Sequence, residues 1–448
     1  MGEINPKIFK AYDIRGVYPE EINEEAAYSI GRAAVQYLDA KRVAVGRDIR
    51  ESSSALFENL AKGITDQGAD VYDLGLASTP MVYFASGKLG VDGAIALTAS
   101  HNPAEYNGMK ICRAEAVPVG ENSGLFDVRD LAIAGKFPEA SRKGEIINKE
   151  EIKKEYVEYF SGFAKLGGRK FKIVIDFANA MGILEKEIYG KFPENLEITP
   201  LYENFDGKFP NHEANPLKTE TLAELQAKVV GTNADLGIAY DGDADRVGFV
   251  DETGQIVPMD LVTGLIAKIV LEKKPGAKIF YDLRSSKSVK EYIEENGGVA
   301  LECPVGHANI KKIMRNKGGV FAGELSGHYY FQENFMAEAS TLAALMLLGV
   351  MAETGGKMSD LVRGIKRYFH SGEINSEVAD KDAVIAALKE KYSDGKISEL
   401  DGVKIEYPDW WFNVRPSNTE PVLRLNLEAD TEKLMEEKRD EVLGLIRG

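Results

Sequence analysis

Short apolar runs recur along this chain, each parted from the next by a segment long enough for an amphipathic helix. Val43–Val45, Ala94–Leu97, Ile173–Ile175 and Ile279–Tyr281 read as buried strands; Glu24–Leu38, Ser53–Gln67, Leu222–Val230 and Leu261–Leu271 read as helices. A strand that is apolar on both faces needs cover on both, so the pattern predicts parallel sheets sandwiched between helices. A basic residue precedes an apolar run three times at domain-sized intervals, in Lys41–Asp48, Lys170–Phe177 and Lys278–Arg284, and the runs end in Gly46, Asp176 and Asp282. One α/β unit used three times accounts for this, and so do three ordinary buried strands. The tail differs. From Val422 to Glu428, leucines alternate with Arg424, Asn426 and Glu428, which predicts a half-solvated antiparallel strand in a smaller domain beginning near Gly372.

A chain of 448 residues with 44% hydrophobic and 28% charged residues has material for several cores. The net charge of −16 argues against nucleic acid or an anionic membrane as a partner. It also means that any phosphate site must gather its cations locally. Two cysteines, Cys112 and Cys303, make no disulfide framework and fit a reducing cytoplasm. Met1–Tyr12 lacks the apolar core of a signal peptide. Leu342–Ala352 is far short of the ~20 residues that span a bilayer and reads as a buried helix.

Asp241-Gly-Asp-Ala-Asp-Arg246 joins two apolar runs as a strand-to-strand loop. Three carboxylates at alternate positions repel one another unless a cation sits among them, and an all-oxygen set selects Mg²⁺ or Ca²⁺. An EF-hand fits Asp241, Asp243, Asp245 and Glu252, but Arg246 takes the place of its turn glycine and the flanks read as strands. A solvated acidic turn is the plain alternative. Arg246 beside a metal suits a phosphate oxygen. Thr98-Ala-Ser-His-Asn-Pro103 also follows an apolar run, at the strand end where α/β sheets bind ligands. Ser100 is a possible nucleophile or phosphoserine, with His101 adjacent and Lys110 within folding-back distance. Gly323-Glu-Leu-Ser-Gly-His328 offers Glu324 and Ser326 for hydroxyls and His328 for acid–base work; a polar turn is the competing reading. Arg415-Pro-Ser-Asn-Thr-Glu-Pro421 combines a guanidinium with neutral donors, the composition of a phosphate cradle.

These four segments, in this order, resemble the α-D-phosphohexomutase superfamily, as do Phe9-Lys-Ala-Tyr-Asp-Ile-Arg-Gly16 and Pro304-Val-Gly-His-Ala308. The resemblance covers essentially the whole chain. It implies three related mixed α/β domains plus a smaller C-terminal α+β domain around a central cleft, expected at 1–148, 149–252, 253–370 and 371–448. It implies Ser100 as the phosphoserine and one Mg²⁺ ion on Asp241, Asp243, Asp245 and a phosphoserine oxygen. Glu324 and Ser326 are implied as sugar ligands; Arg415, Ser417, Asn418 and Thr419 as ligands of the distal phosphate. Tyr12, Arg15, Lys110, Arg246, Arg284, His307 and His328 match positions lining the cleft. Ala99 stands where many relatives have Gly, Leu325 leans toward glucose or mannose over glucosamine, and Met336-Ala-Glu-Ala339 replaces an acidic, Gly-containing stretch.

The expectation is a cytoplasmic mutase that interconverts hexose 1-phosphate and hexose 6-phosphate through a hexose 1,6-bisphosphate. Lys110 and His328 are candidates for proton transfer, and the last domain is expected to hinge. Phosphoglucosamine mutase, a Mg²⁺-dependent sugar phosphatase and a non-catalytic sugar-phosphate sensor stand as alternatives. The sequence specifies no oligomeric state.

Overall fold

The computed structural model describes residues 4–416 and 422–448. Four sheets follow one another along the chain. In the first, Arg42–Arg47 lies between Asp70–Leu76 and Gly93–Leu97, parallel to both. Phe171–Asp176 lies likewise between Leu196–Leu201 and Leu236–Tyr240. In the third sheet, Lys278–Asp282 lies between Val299–Cys303 and Gly319–Gly323. The three runs singled out by their leading basic residue are therefore interior strands, each flanked by two parallel partners, at equivalent places in three sheets.

The sheets are mixed rather than wholly parallel. Gly93–Leu97, Leu236–Tyr240 and Gly319–Gly323 each turn back into an antiparallel partner, Tyr106–Arg113, Val247–Asp251 and Tyr329–Phe331. The connections have five to eight residues, too short for the crossover of a dozen or more that a parallel return requires. The second sheet runs on to Val257 through a further hairpin, and Phe369–His370 already pairs into the fourth.

The helices form where expected. Glu24–Leu38 begins at Asn23, whose side chain accepts from Ala26 N–H, and ends at Asp39 in the left-handed region. Ser340–Thr354 buries every residue from Ser340 to Met351, as its continuous apolar character requires. It joins a single apolar core that runs through the first three units, from Phe84 and Phe160 to Tyr240 and Leu345. The fourth unit has a core of its own, built from Leu388, Phe412, Leu425 and Val442 among others. Its ties to the third unit include polar contacts: Lys404 to Glu302, Val305 N–H to Asp401 Oδ2, and Lys287 N–H to Glu428 Oε1.

That junction corrects the reading of Val422–Ala429 as half-solvated. Asn426 and Glu428 are 0% and 1% exposed. Glu428 Oε1 accepts from Trp411 Nε1 and Lys287 N–H, each at 2.9 Å. Glu428 is turned into the third unit, and Asn426 Nδ2 donates to Glu373 at 3.3 Å, instead of facing water.

Candidate active site

The serine loop (98–105), the aspartate loop (241–246) and the Gly323–His328 loop are the same hairpin turn in the three units, and they meet. Ser100 takes a positive φ of 52°, and its N–H donates to Thr98 Oγ1 at 2.9 Å. Its hydroxyl donates to Asp241 Oδ2 at 2.9 Å and lies 3.1 Å from His101 Nδ1. At Gly242 the two loops touch backbone to backbone: a Cβ there would stand 2.2 Å from the Ser100 carbonyl oxygen. The third loop is joined by a bridge between Arg246 and His328.

Asp241, Asp243 and Asp245 are all essentially buried, with ligand oxygens within 4.8 Å of one another. Lys110, on the strand after the serine loop, pairs with Asp243 Oδ2 at 2.7 Å and with Asp245. Thr79 Oγ1 donates to Asp243 Oδ2 at 2.6 Å. Asp243 Oδ1 is buried with no hydrogen-bond donor among the described residues, and Asp245 Oδ1 faces the His328 ring at 3.3 Å. Burial, then Asp243 and Asp245, push the Asp241 carboxyl well up. Burial works against the Lys110 ammonium, but Asp243 and Asp245 outweigh it and raise its pKa. Hard oxygens that converge in a buried loop, one of them orphaned, fit a divalent cation.

His328 Nε2 lies 3.3 Å from Asp245 Oδ1 and 3.2 Å from Arg246 Nε. A single ring nitrogen cannot donate to the first and accept from the second. His328 Nδ1 also faces Glu324 Oε2 at 3.1 Å, so two carboxylates favour the imidazolium. They raise its pKa to about 9 against the opposing effect of burial. Glu324 is held down to about 2, burial being outweighed by His328 and Arg284. Ser326 Oγ stands 2.8 Å from His328 Nδ1. His101, by contrast, is pushed well below the usual range by burial, Arg246 and Arg15.

Arg15 grips the serine loop, donating to Ala99 O at 3.2 Å and to Asn102 Oδ1, with Asp13 behind it at 2.8 Å. Tyr12 reaches from the first unit to Val305 O of the third at 3.4 Å and meets the His307 ring edge-on. Arg284 is paired with Asp282 at 2.7 Å and reaches Glu373, which Arg415 also contacts. Ser417, Asn418 and Thr419 lie outside the described residues.

Three groups escaped the sequence reading. Arg50 holds the serine loop by its carbonyls, donating to Ser100 O at 2.8 Å and Asn102 O at 2.7 Å, and also to Pro103 O and Tyr106 O. Its signal was present: Asp48-Ile-Arg50 and Asp282-Leu-Arg284 follow equivalent strands. In both, the arginine N–H and Nε donate back to the aspartate. Thr79 and Glu373 carry no such signal, because each meets the site only through tertiary packing.

Consecutive parts of the chain match the Phosphoglucomutase/phosphomannomutase alpha/beta/alpha domains I (residues 6–125), II (154–254) and III (258–368) and the C-terminal domain (373–445). A phosphomannomutase of Methanocaldococcus jannaschii is 42% identical over 98% of this chain and 97% of its own length. One of Escherichia coli is 38% identical over 98% and 99%. A crystal structure of a Burkholderia thailandensis phosphoglucomutase/phosphomannomutase family protein superposes with a TM-score of 0.91, at 32% identity, over 99% of this chain and 97% of that one. The chain belongs to the phosphoglucomutase/phosphomannomutase family. It is an enzyme that transfers phosphate intramolecularly, a phosphohexomutase. No helix among the described residues is long and apolar enough to cross a membrane.

Proposed function

We propose that this enzyme interconverts the 1- and 6-phosphates of mannose or glucose, with Ser100 as phosphoryl carrier and a hexose 1,6-bisphosphate as intermediate. The observation that carries this reading is the Ser100 hydroxyl hydrogen-bonded to Asp241, beside a buried Asp243 oxygen that lacks a donor among the described residues. Asp241, Asp243 and Asp245 would hold one Mg²⁺ together with an oxygen of phosphorylated Ser100. Bound there, Mg²⁺ supplies Lewis-acid polarisation of phosphoryl oxygens.

The chain's own residues do the rest. Arg15 and Arg50 fix the serine loop by its carbonyls, so the carrier is aimed before substrate arrives. Arg246 offsets charge on the moving phosphoryl group. Glu324 and Ser326 take sugar hydroxyls, Tyr12 and His307 close the cleft beside them, and Arg284 and the Arg415 loop take the phosphate that stays behind. Lys110 and His328 move the hydroxyl proton, and neutral His101 orients the Ser100 hydroxyl. The bisphosphate turns over within the cleft so that its other phosphate faces Ser100. Leu325 favours mannose and glucose over glucosamine. Buried, unpaired Cys112 and Cys303 support a cytoplasmic setting.

Ser100→Ala tests this: turnover is lost while calorimetric binding of sugar phosphate stays near that of the unchanged enzyme. An alanine variant that keeps most activity sinks the assignment. Intact mass before and after phosphatase treatment tests for phosphoserine, which a mere sensor lacks. Released phosphate measured against isomerised sugar separates a mutase from a phosphatase.

A further inference from the structure

Between the third and fourth units, one carboxylate stands where several cations point. Glu373 follows Gly372, whose φ is +71°, between the first two strands of the fourth sheet, Phe369–His370 and Ile374–Glu377. Its oxygens lie 3.3 Å from Arg284 Nη1, 3.3 Å from Arg415 Nη2, 3.4 Å from Arg424 Nη1 and 3.3 Å from Asn426 Nδ2. Arg284 comes from the third unit, the other three partners from the fourth. All four contacts are longer than the 2.7–2.9 Å of a tight charge-assisted hydrogen bond. Arg284 already has a closer partner in Asp282 at 2.7 Å. Arg415 is 5% exposed, and its Nε has no partner among the described residues. Among the described residues, three guanidiniums thus meet at one loosely held carboxylate, and Arg415 keeps a donor in reserve.

We propose that Glu373 is a resident anion that competes with the substrate's non-reacting phosphate for Arg284, Arg415 and Arg424, and so sets how readily that phosphate is released. The inference rests on the mutase reading above and deepens it. An intermediate carrying two phosphates must let go of this cluster in order to turn around, and a fixed carboxylate beside the arginines weakens the grip at each release. The carboxylate stays ionised throughout: burial opposes this, but Arg284, Arg415 and Arg424 prevail and hold its pKa down to about 2. Glu373 is therefore a positioning residue rather than a catalytic one.

The test is Glu373→Gln, which keeps the shape and removes the charge. Removing one unit of negative charge beside a bound phosphate strengthens binding by at least about tenfold at the effective dielectric of a partly buried site. Inorganic phosphate, titrated by calorimetry, binds the variant at least about tenfold more tightly than the unchanged enzyme. KM for glucose 1-phosphate falls while kcat falls with it, because release slows. Adding Arg415→Ala to the variant abolishes the gain, which locates it at this cluster. Unchanged or weaker phosphate binding overturns the proposal, since a carboxylate that only organises the arginines would loosen the site when lost. Should the glutamine variant not fold, Glu373→Asp draws the charge back by one methylene and still tightens phosphate binding; weaker binding there is equally fatal. Phosphate affinity is read without turnover, so failure here and failure of the Ser100 mechanism are separate results.

Discussion

Gly242→Ala places one methyl group where the aspartate and serine loops touch. The new Cβ lies 2.2 Å from the Ser100 carbonyl oxygen and 3.0 Å from its carbon. The φ of Gly242 lies outside the left-handed region, so the clash alone carries the effect. Real Cβ atoms do not approach within 3.0 Å, so the loops must part by at least about 0.8 Å. Arg15 and Arg50 hold the serine loop from behind, so the opening falls on the 2.9 Å contact between Ser100 Oγ and Asp241 Oδ2. Misplacing reacting groups by about 1 Å lowers rates on the order of 10²-fold. Overpacking of this kind destabilises by about 1–3 kcal/mol. A coupled assay of sugar-phosphate isomerisation should show kcat down by about two orders of magnitude, with KM changed far less, because the arginines proposed to hold the distal phosphate lie on other loops. Thermal denaturation checks that the variant is folded. A folded variant with kcat within roughly threefold of the unchanged enzyme would refute the idea that this backbone contact sets the carrier's aim.

Chelation should abolish turnover and added Mg²⁺ restore it; Asp243→Asn should weaken the Mg²⁺ response by more than about tenfold, and full activity in chelator would count against a metal in the loop. Glu185 is buried among hydroxyls of Ser78, Thr341 and Tyr156, and burial raises its carboxyl. The native state thus holds this proton above the unfolded value of about 4.3, so stability falls as pH rises from there through the folded value. Glu185→Gln removes that slope, and melting curves for the two proteins should diverge toward high pH; parallel curves would contradict it. Lys311 and Glu338 form a fully buried pair at 2.9 Å. Lys311→Met leaves the carboxylate alone and should destabilise by about 3–5 kcal/mol, largely recovered by adding Glu338→Gln; denaturant midpoints decide.

The alternating strands and helices were legible because burial on two faces leaves an unbroken apolar run, and the central strands announced themselves with a leading lysine. That the hairpins turn antiparallel follows from the shortness of the loops after Leu97, Tyr240 and Gly323, of which only the aspartate loop was read as joining strand to strand. The outer face of Val422–Ala429 misled. Asn426 and Glu428 look solvated because polar side chains usually are, yet Asn426 meets Glu373 and Glu428 meets Lys287 of the neighbouring unit. Ser100 and the three aspartates stood out because each motif is local. Arg50, Thr79 and Glu373 did not, since their roles arise from contacts to other parts of the chain: Arg50 with Ser100, Thr79 with Asp243, and Glu373 with Arg284.

Three units each lend one hairpin crest to a common point, and a single oily seam glues those units together. Aim is thus a property of the angles between bodies rather than of any one loop. Trimming a packed ring in that seam, such as Phe84 or Phe160, would blunt the chemistry from a distance, leaving every reactive group intact but no longer facing its partner.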